Sequence, residues 1–430
     1  MGTMQDRQKF SEQKLPNGIT LHTYQSPFPI CHLEVILPVG AGHAHTGNSF
    51  IPGSPHFLEH AQLIRSDRFP DAYQLDRLIG LRGGHSNGTT YPVSTHYELD
   101  MPAAHLDFAV EAMLDRTYSP IFVEDDLKPE RGVVMNERNG RKFYPGRSPV
   151  SKYYHTEFLN DAEYPLEQLF GSNDDLHDMT ADVLLAMQRQ ISLNEGVKVL
   201  AVGPSDFSGL AAGLAKIRTT KAIFNCSITP IHWNDPSYRK CYFETVSQPT
   251  LEVAWVHPRM PYAEFRAASL LVSLLVNPTH GSLYREFREE KGWAYGLDGY
   301  CQQRPHNTVI GLSFPVNAAD QVDYIRDCLQ ERIRKAAADQ ALVEAEIGRY
   351  VSSQVYNFQT AGDIIGGASY DLDTYGCIHT ETEWLTAVEN VANPDWRRYI
   401  VTTYFQEADM GAICFMPERR RRVLARDLSA

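Results

Sequence analysis

The chain has 430 residues, enough for two domains, and its 43% hydrophobic and 22% charged residues exclude global disorder and a fibre. Its formal charge of −13, from 40 Lys and Arg against 53 Asp and Glu, argues against a nucleic-acid binder, because neutralising phosphates takes clustered cations. The basic run Arg419 to Arg422 reads as a solvated tail, the scattered cysteines predict reduced thiols in the cytoplasm, and no apolar run predicts a secretion signal or a membrane span.

Residues 18 to 25 and 31 to 39 alternate or run apolar with β-branched side chains and predict two strands. A loop rich in Gly, His, Ser and Thr follows over 40 to 53, where His43 and His45 read as exposed. Ser54 then offers an N-cap and Pro55 suits the first helical position, so a helix begins with the motif His56-Phe57-Leu58-Glu59-His60. At about 100° per residue, His60 lies roughly 40° round from His56 and Glu59 roughly 60° to the other side, while Phe57 and Leu58 point away. One face is chemical and the other is core. Neutral imidazole suits zinc, and a neighbouring carboxylate can take a proton from activated water. A solvated amphipathic helix could carry the same residues, so the rest of the chain decides.

A short helix over 71 to 80 precedes a glycine-rich stretch over 80 to 88, and one or two strands follow over 89 to 101. Helical spacing then recurs from 106 to 114 and from 124 to 139, before a strand at 197 to 203. Glu130 and Glu137 share a face of the second helix, offset by roughly 20° and about 10 Å apart, and are candidates for the third protein ligand that a catalytic zinc site needs. An N-terminal domain over 1–222 and a linker over 223–238 lead to a C-terminal domain over 239–430, in which the order restarts. Strands are expected near 240 to 246 and 250 to 256, helices at 262 to 276 and 281 to 290, strands near 293 to 301 and 307 to 314, helices from 318, and a last strand near 410 to 416. This repeated plan predicts a duplication, and the segment Tyr262 to Leu271, at the place of the motif helix, carries no ligand set.

With these motifs the sequence resembles the pitrilysin and insulinase family of inverted-motif zinc metallopeptidases, in particular its two-domain, bacterial processing-peptidase-like subunits. The similarity takes in Gly83-Gly84 with Asn87, Thr90 and Thr95-His96-Tyr97, and the helix from Glu130 to Glu137, which ends 77 residues after His60. It continues in the second half from Leu283 through Arg288 and Gly292 to Tyr295. Ala61 and Trp293 depart from the family's more usual residues without touching a ligand.

The resemblance implies an α+β fold of two homologous domains, each a mixed sheet flanked by helices, closing as a clam-like cleft. It also implies one Zn2+ per chain held by His56, His60 and Glu137, with Glu59 as general base and Glu130 as a supporting catalytic carboxylate. Asn87, Arg288 and Tyr295 would bind substrate. For Asn87 two readings stay open: an edge strand to which a peptide adds, or an Asn-Gly turn. The expected activity is endopeptidase cleavage of short unstructured peptides, as a homodimer or with a related subunit. The alternative is a non-catalytic or partner-dependent subunit of a two-chain peptidase. Gly84-His-Ser86-Asn-Gly88 matches a nucleophile elbow, but strand-like residues follow where that elbow needs a helix.

Overall fold

The computed structural model describes residues 10–44, 50–141, 153–160, 166–226, 228, 230–354, 356 and 359–418; His45 and Arg419 to Arg422 lie outside them. The chain divides into two compact units, one from Met1–Lys142, Ala162–Thr229 and Ser353–Glu381, the other from Phe143–Asp161, Pro230–Ser352 and Thr382–Ala430.

In the first unit, β1 (Ser11–Lys14), β2 (Thr20–Gln25), β3 (Ile30–Leu37), β4 (His85–Thr90), β5 (Thr95–Pro102) and β6 (Lys198–Gly203) form a mixed sheet in the order β1-β2-β6-β3-β5-β4. Strands β2 and β6 run parallel, and the other neighbours are antiparallel. Strand β3 is buried on both faces, one lined by Cys31, Leu33, Val35 and Leu37 and the other by His32, Glu34 and Ile36. On one face Leu33, Val35 and Leu37 join a core with helices α1 (Ser54–Gln62), α2 (Gln74–Leu81), α3 (Leu106–Tyr118) and α4 (Glu124–Arg141).

The other face carries Ile36, Leu200 and Val202, which are covered by Ile364, Ile365, Ala368 and Leu372 of the helix Ala361–Tyr375. That helix lies within 239–430 in sequence but packs on the first sheet, so a single cut at 223–238 does not describe the packing. An apolar stripe on the helix meets an apolar sheet face, and burial of that surface outweighs sequence distance.

In the second unit, β7 (Arg239–Phe243), β8 (Thr250–Pro258), β9 (Asp298–Gln303), β10 (Asn307–Pro315) and β11 (Met410–Pro417) form a mixed sheet in the order β7-β11-β8-β10-β9. Strands β7 and β11 are parallel, as β2 and β6 are in the first unit, and the order is that of β2-β6-β3-β5-β4. The repeated element order is therefore a repeated topology, and the protein is α+β with two mixed sheets flanked by helices. The helix Tyr262–Val276 follows β8 as α1 follows β3, and its buried face is wholly apolar, with Phe265, Leu270, Leu271 and Leu274 among it. Strand β9 starts at Asp298, later than 293, because Gly292 turns the chain at φ +61 and the Trp293 and Ala294 amides donate to the Phe287 carbonyl. All seven cysteines are free thiols. Among the described residues no helix is long and apolar enough to cross a membrane.

Beneath the helix Ala361–Tyr375 lies a buried polar cluster. His96 sits with Nδ1 2.6 Å from Glu34 Oε1 and Nε2 2.9 Å from Asp373 Oδ2, while Ser369 Oγ donates to Glu34 and Ser94 Oγ to Asp373. Burial lowers the His96 pKa, but hydrogen bonds and charge from Asp373 and Glu34 outweigh it and push the value up to about 9. Because this pKa is raised, the cluster's contribution to stability is fully present below about pH 6.5 and is lost as pH rises through about 9. Urea unfolding should show stability declining from about pH 7 to about pH 10, with a smaller decline in His96→Gln. Equal pH slopes in the two proteins would contradict this linkage.

Candidate metal centre

Helix α1 starts differently from the sequence expectation. Gly53, not Ser54, is the N-cap, in the left-handed region at φ +82, and Ser54 is the first helical residue, with its hydroxyl buried and making no cap bond. Packing dictates the choice: a Cβ on Gly53 would stand 2.4 Å from the Gly171 amide nitrogen and 2.5 Å from the Phe170 carbonyl carbon. The loop before the helix also differs from expectation. His43 is buried in a short helical turn and its Nδ1 accepts the Gly40 amide at 3.1 Å, because the turn's own backbone needs that acceptor.

Phe57, Leu58 and Ala61 point into the core, fixing the rotation of α1. At its end Gln62 accepts from Tyr97 Oη at 3.2 Å and donates to the Arg116 and Thr117 carbonyls. Helix α4 is tied down through Arg131, which donates to the Leu176 and Met179 carbonyls, and Arg138, which donates to the Gly171 carbonyl and Asn173. The two helices pack together, so the chemical face of α1 meets the glutamate face of α4.

The result is a three-donor cluster. Glu137 Oε2 lies 3.4 Å from His56 Nε2 and 3.6 Å from His60 Nε2, and one ligand atom from each of the three residues falls within 4.8 Å of the others. Bonds of about 2.0–2.2 Å in a tetrahedral zinc site separate ligand atoms by about 3.3–3.6 Å, so these donors fit that ion. Glu130 Oε1 lies 2.7 Å from His60 Nδ1, which leaves Nε2 as the nitrogen facing Glu137. His56 is held edge-on against Phe170, with ring centroids 4.9 Å apart.

Two further contacts were not anticipated from sequence. Thr90 Oγ1 donates to Glu59 Oε2 at 2.9 Å, and Tyr73 Oη donates to Glu130 Oε2 at 3.1 Å. Gly88 belongs with Thr90: a Cβ there would come within 2.6 Å of Glu59 Oε1, so this glycine makes room for the carboxylate. Strand alternation, which puts Gly88 and Thr90 on one face, was the available signal. For Tyr73 there was none, since its contact arises only when α2 and α4 meet.

Asn87 and Gly88 do not form a turn. They lie in β4, paired with Glu98 and Tyr97, at the edge of the sheet, and Asn87 is exposed. Ser86, in the same strand, donates to Asp76 of α2, and the strand leads into β5 and no helix, so the nucleophile-elbow geometry is absent. In the second unit, Arg288 sits 4.7 Å above the ring of Tyr295, which is 84% exposed.

Two imidazoles from α1 and a glutamate from α4, on a duplicated α+β scaffold, are the donor set of an inverted-motif metallopeptidase. Two family models match the chain, Insulinase (Peptidase family M16) over residues 24–168 and Peptidase M16 inactive domain over residues 229–353, together more than half of it. The chain belongs to the M16 insulinase/pitrilysin family of zinc peptidases. An uncharacterized zinc protease of Streptomyces coelicolor is 24% identical over 72% of this chain and 69% of its own length. Coenzyme PQQ synthesis protein F of Pseudomonas aeruginosa is 32% identical over 29% of this chain, and the match spans only 16% of that protein. In fold, the chain is similar to a protease from Helicobacter pylori, with TM-score 0.77 and 18% identity over 95% of this chain and 99% of that one. It is also similar to the periplasmic protease PqqL of Escherichia coli, with TM-score 0.77 and 14% identity over 96% of this chain and 48% of that one.

Burial lowers the His60 pKa, but hydrogen bonds to Glu130 and Glu137 and the charge of Glu59 raise it to about 9, so the protein groups alone hold a proton there at neutral pH. Zinc binding near pH 7 should therefore release about one proton per ion, and affinity should rise with pH, as calorimetry in buffers of different ionisation enthalpy will show. Proton-neutral binding would contradict it. Gly53→Ala should cost about 1–3 kcal/mol of unfolding free energy in urea denaturation, and a change of only a few tenths would refute the need for glycine there.

Proposed function

We propose that the protein is a zinc-dependent endopeptidase of short, unstructured peptides, with Glu59 as its general base. The observation that carries this reading is the convergence of His56, His60 and Glu137 on one point, with Glu59 held on the same helix by Thr90. Zinc held by those three residues would supply Lewis acidity to water and to a peptide carbonyl. The chain's own part follows from the hydrogen bonds. Thr90 occupies Glu59 Oε2, which leaves Oε1, above Gly88, to take a proton from water and pass it to the leaving amine. Glu130 holds the His60 ring through Nδ1.

The edge strand β4 supports an extended substrate. An outer strand has unpaired backbone groups to which a peptide can add, Asn87 is exposed beside them, and only an unfolded segment offers a free backbone. Arg288 and Tyr295 of the second unit are proposed as peptide-binding residues, a cation and an exposed ring held together. The net charge of −13 speaks against nucleic acid as a partner. We further propose a cytoplasmic enzyme working as a homodimer or with a related subunit.

Glu59→Gln should retain one zinc per chain and lose about 10²–10⁴-fold in turnover on a mixed peptide library, because it removes the base and spares the ligands. His60→Ala should lose the metal as well, read by metal analysis. Near-normal cleavage by Glu59→Gln would refute the assignment, and equally low cleavage by wild type would favour a non-catalytic or partner-dependent subunit.

A further inference from the structure

We infer that Tyr73 is a positioning residue of the metal centre, whose hydroxyl clamps Glu130 so that Glu130 holds the His60 ring in its ligating orientation. This rests on the zinc reading above. Glu130 is 8% exposed, and each of its oxygens has its own donor, His60 Nδ1 on Oε1 at 2.7 Å and Tyr73 Oη on Oε2 at 3.1 Å. Among the described residues no lysine or arginine pairs with it, so these two bonds are what compensate a buried carboxylate. Loss of the second leaves Oε2 without a donor and lets the carboxylate rotate away from the imidazole.

The backbone of Tyr73 is a second, independent sign. It sits in the left-handed region at φ +56 and ψ +17, where a bulky side chain is strained and glycine or asparagine would be at ease. The surroundings impose this conformation: the Tyr73 amide donates to the Ile64 carbonyl at 2.9 Å and its carbonyl accepts from Arg77 at 3.1 Å. Those bonds need no phenol, so the backbone alone does not explain a tyrosine here. The hydroxyl bond to Glu130 does. Burial, with the charge of Glu130 after it, raises the phenol pKa to about 12, so the group remains a donor. A line of hydrogen bonds therefore runs from the half-exposed Tyr73 ring through Glu130 to His60.

The test is the zinc affinity of the full chain, by titration of metal-free protein against a chromophoric chelator, for wild type, Tyr73→Phe, Glu130→Gln and the double variant. Thermal unfolding of each metal-free protein reports folding separately. Tyr73→Phe should bind zinc about tenfold more weakly, the low end of the loss expected when a group that orients a ligand is disturbed, while its metal-free form, somewhat less stable for want of the Oε2 donor, still unfolds cooperatively well above the titration temperature. In the Glu130→Gln background the same substitution should cost nothing more, since the clamp acts through Glu130. Wild-type affinity in Tyr73→Phe, or a full additional loss in the double variant, overturns the clamp. A wild-type chain that binds no zinc instead overturns the metal centre on which the clamp depends.

Discussion

Burying a helix face that carries two imidazoles and a carboxylate is unfavourable unless those groups find partners, and the first unit is built around satisfying that demand. Glu130 answers His60, Thr90 answers Glu59, and Glu137 closes on both histidines. The partners come from two neighbours, Thr90 from β4 and both glutamates from α4, so the face is satisfied only when the sheet edge and the glutamate helix are both in place. The glycines serve the same end. Gly53 lets α1 start against the Phe170–Gly171 backbone, and Gly88 leaves space for Glu59.

The second unit shows what the same topology does without that demand. Its strand order repeats that of the first sheet, yet the residues that the helix in the place of α1 buries are all apolar, and it carries no pair of histidines with a glutamate. Arg288 and Tyr295 stack on one another at its surface, which leaves the strongly exposed Tyr295 ring and a cation together. Duplication thus supplied one scaffold that carries metal ligands and one that does not.

Much of this was legible in the sequence where the signal was local. The 3.6-residue period placed His56, Glu59 and His60 on one face, and a spacing of seven did the same for Glu130 and Glu137. Apolar periodicity found most strands and helices of both halves. Readings went astray where a tertiary neighbour decided. Ser54 is a good N-cap by type, but the close approach of Gly171 required a glycine one residue earlier. For Asn87-Gly88 the sequence left an edge strand and a turn open, and only the Glu59 carboxylate, which needs a strand without a side chain beside it, decides for the strand. His43 looked like an exposed loop histidine and is instead a buried backbone acceptor. The helix Ala361–Tyr375 could not be assigned to the first sheet from its position, because its partners Ile36 and Leu200 lie far upstream. Tyr73 carries no local signature at all.

The central claim is that His56, His60 and Glu137 together bind one zinc ion, and X-ray absorption spectroscopy at the zinc edge of the loaded chain tests it most directly. The account predicts one ion per chain with two imidazole nitrogens and oxygen ligands at about 2.0–2.2 Å. Sulfur at about 2.3 Å, or a shell without imidazole, would contradict it.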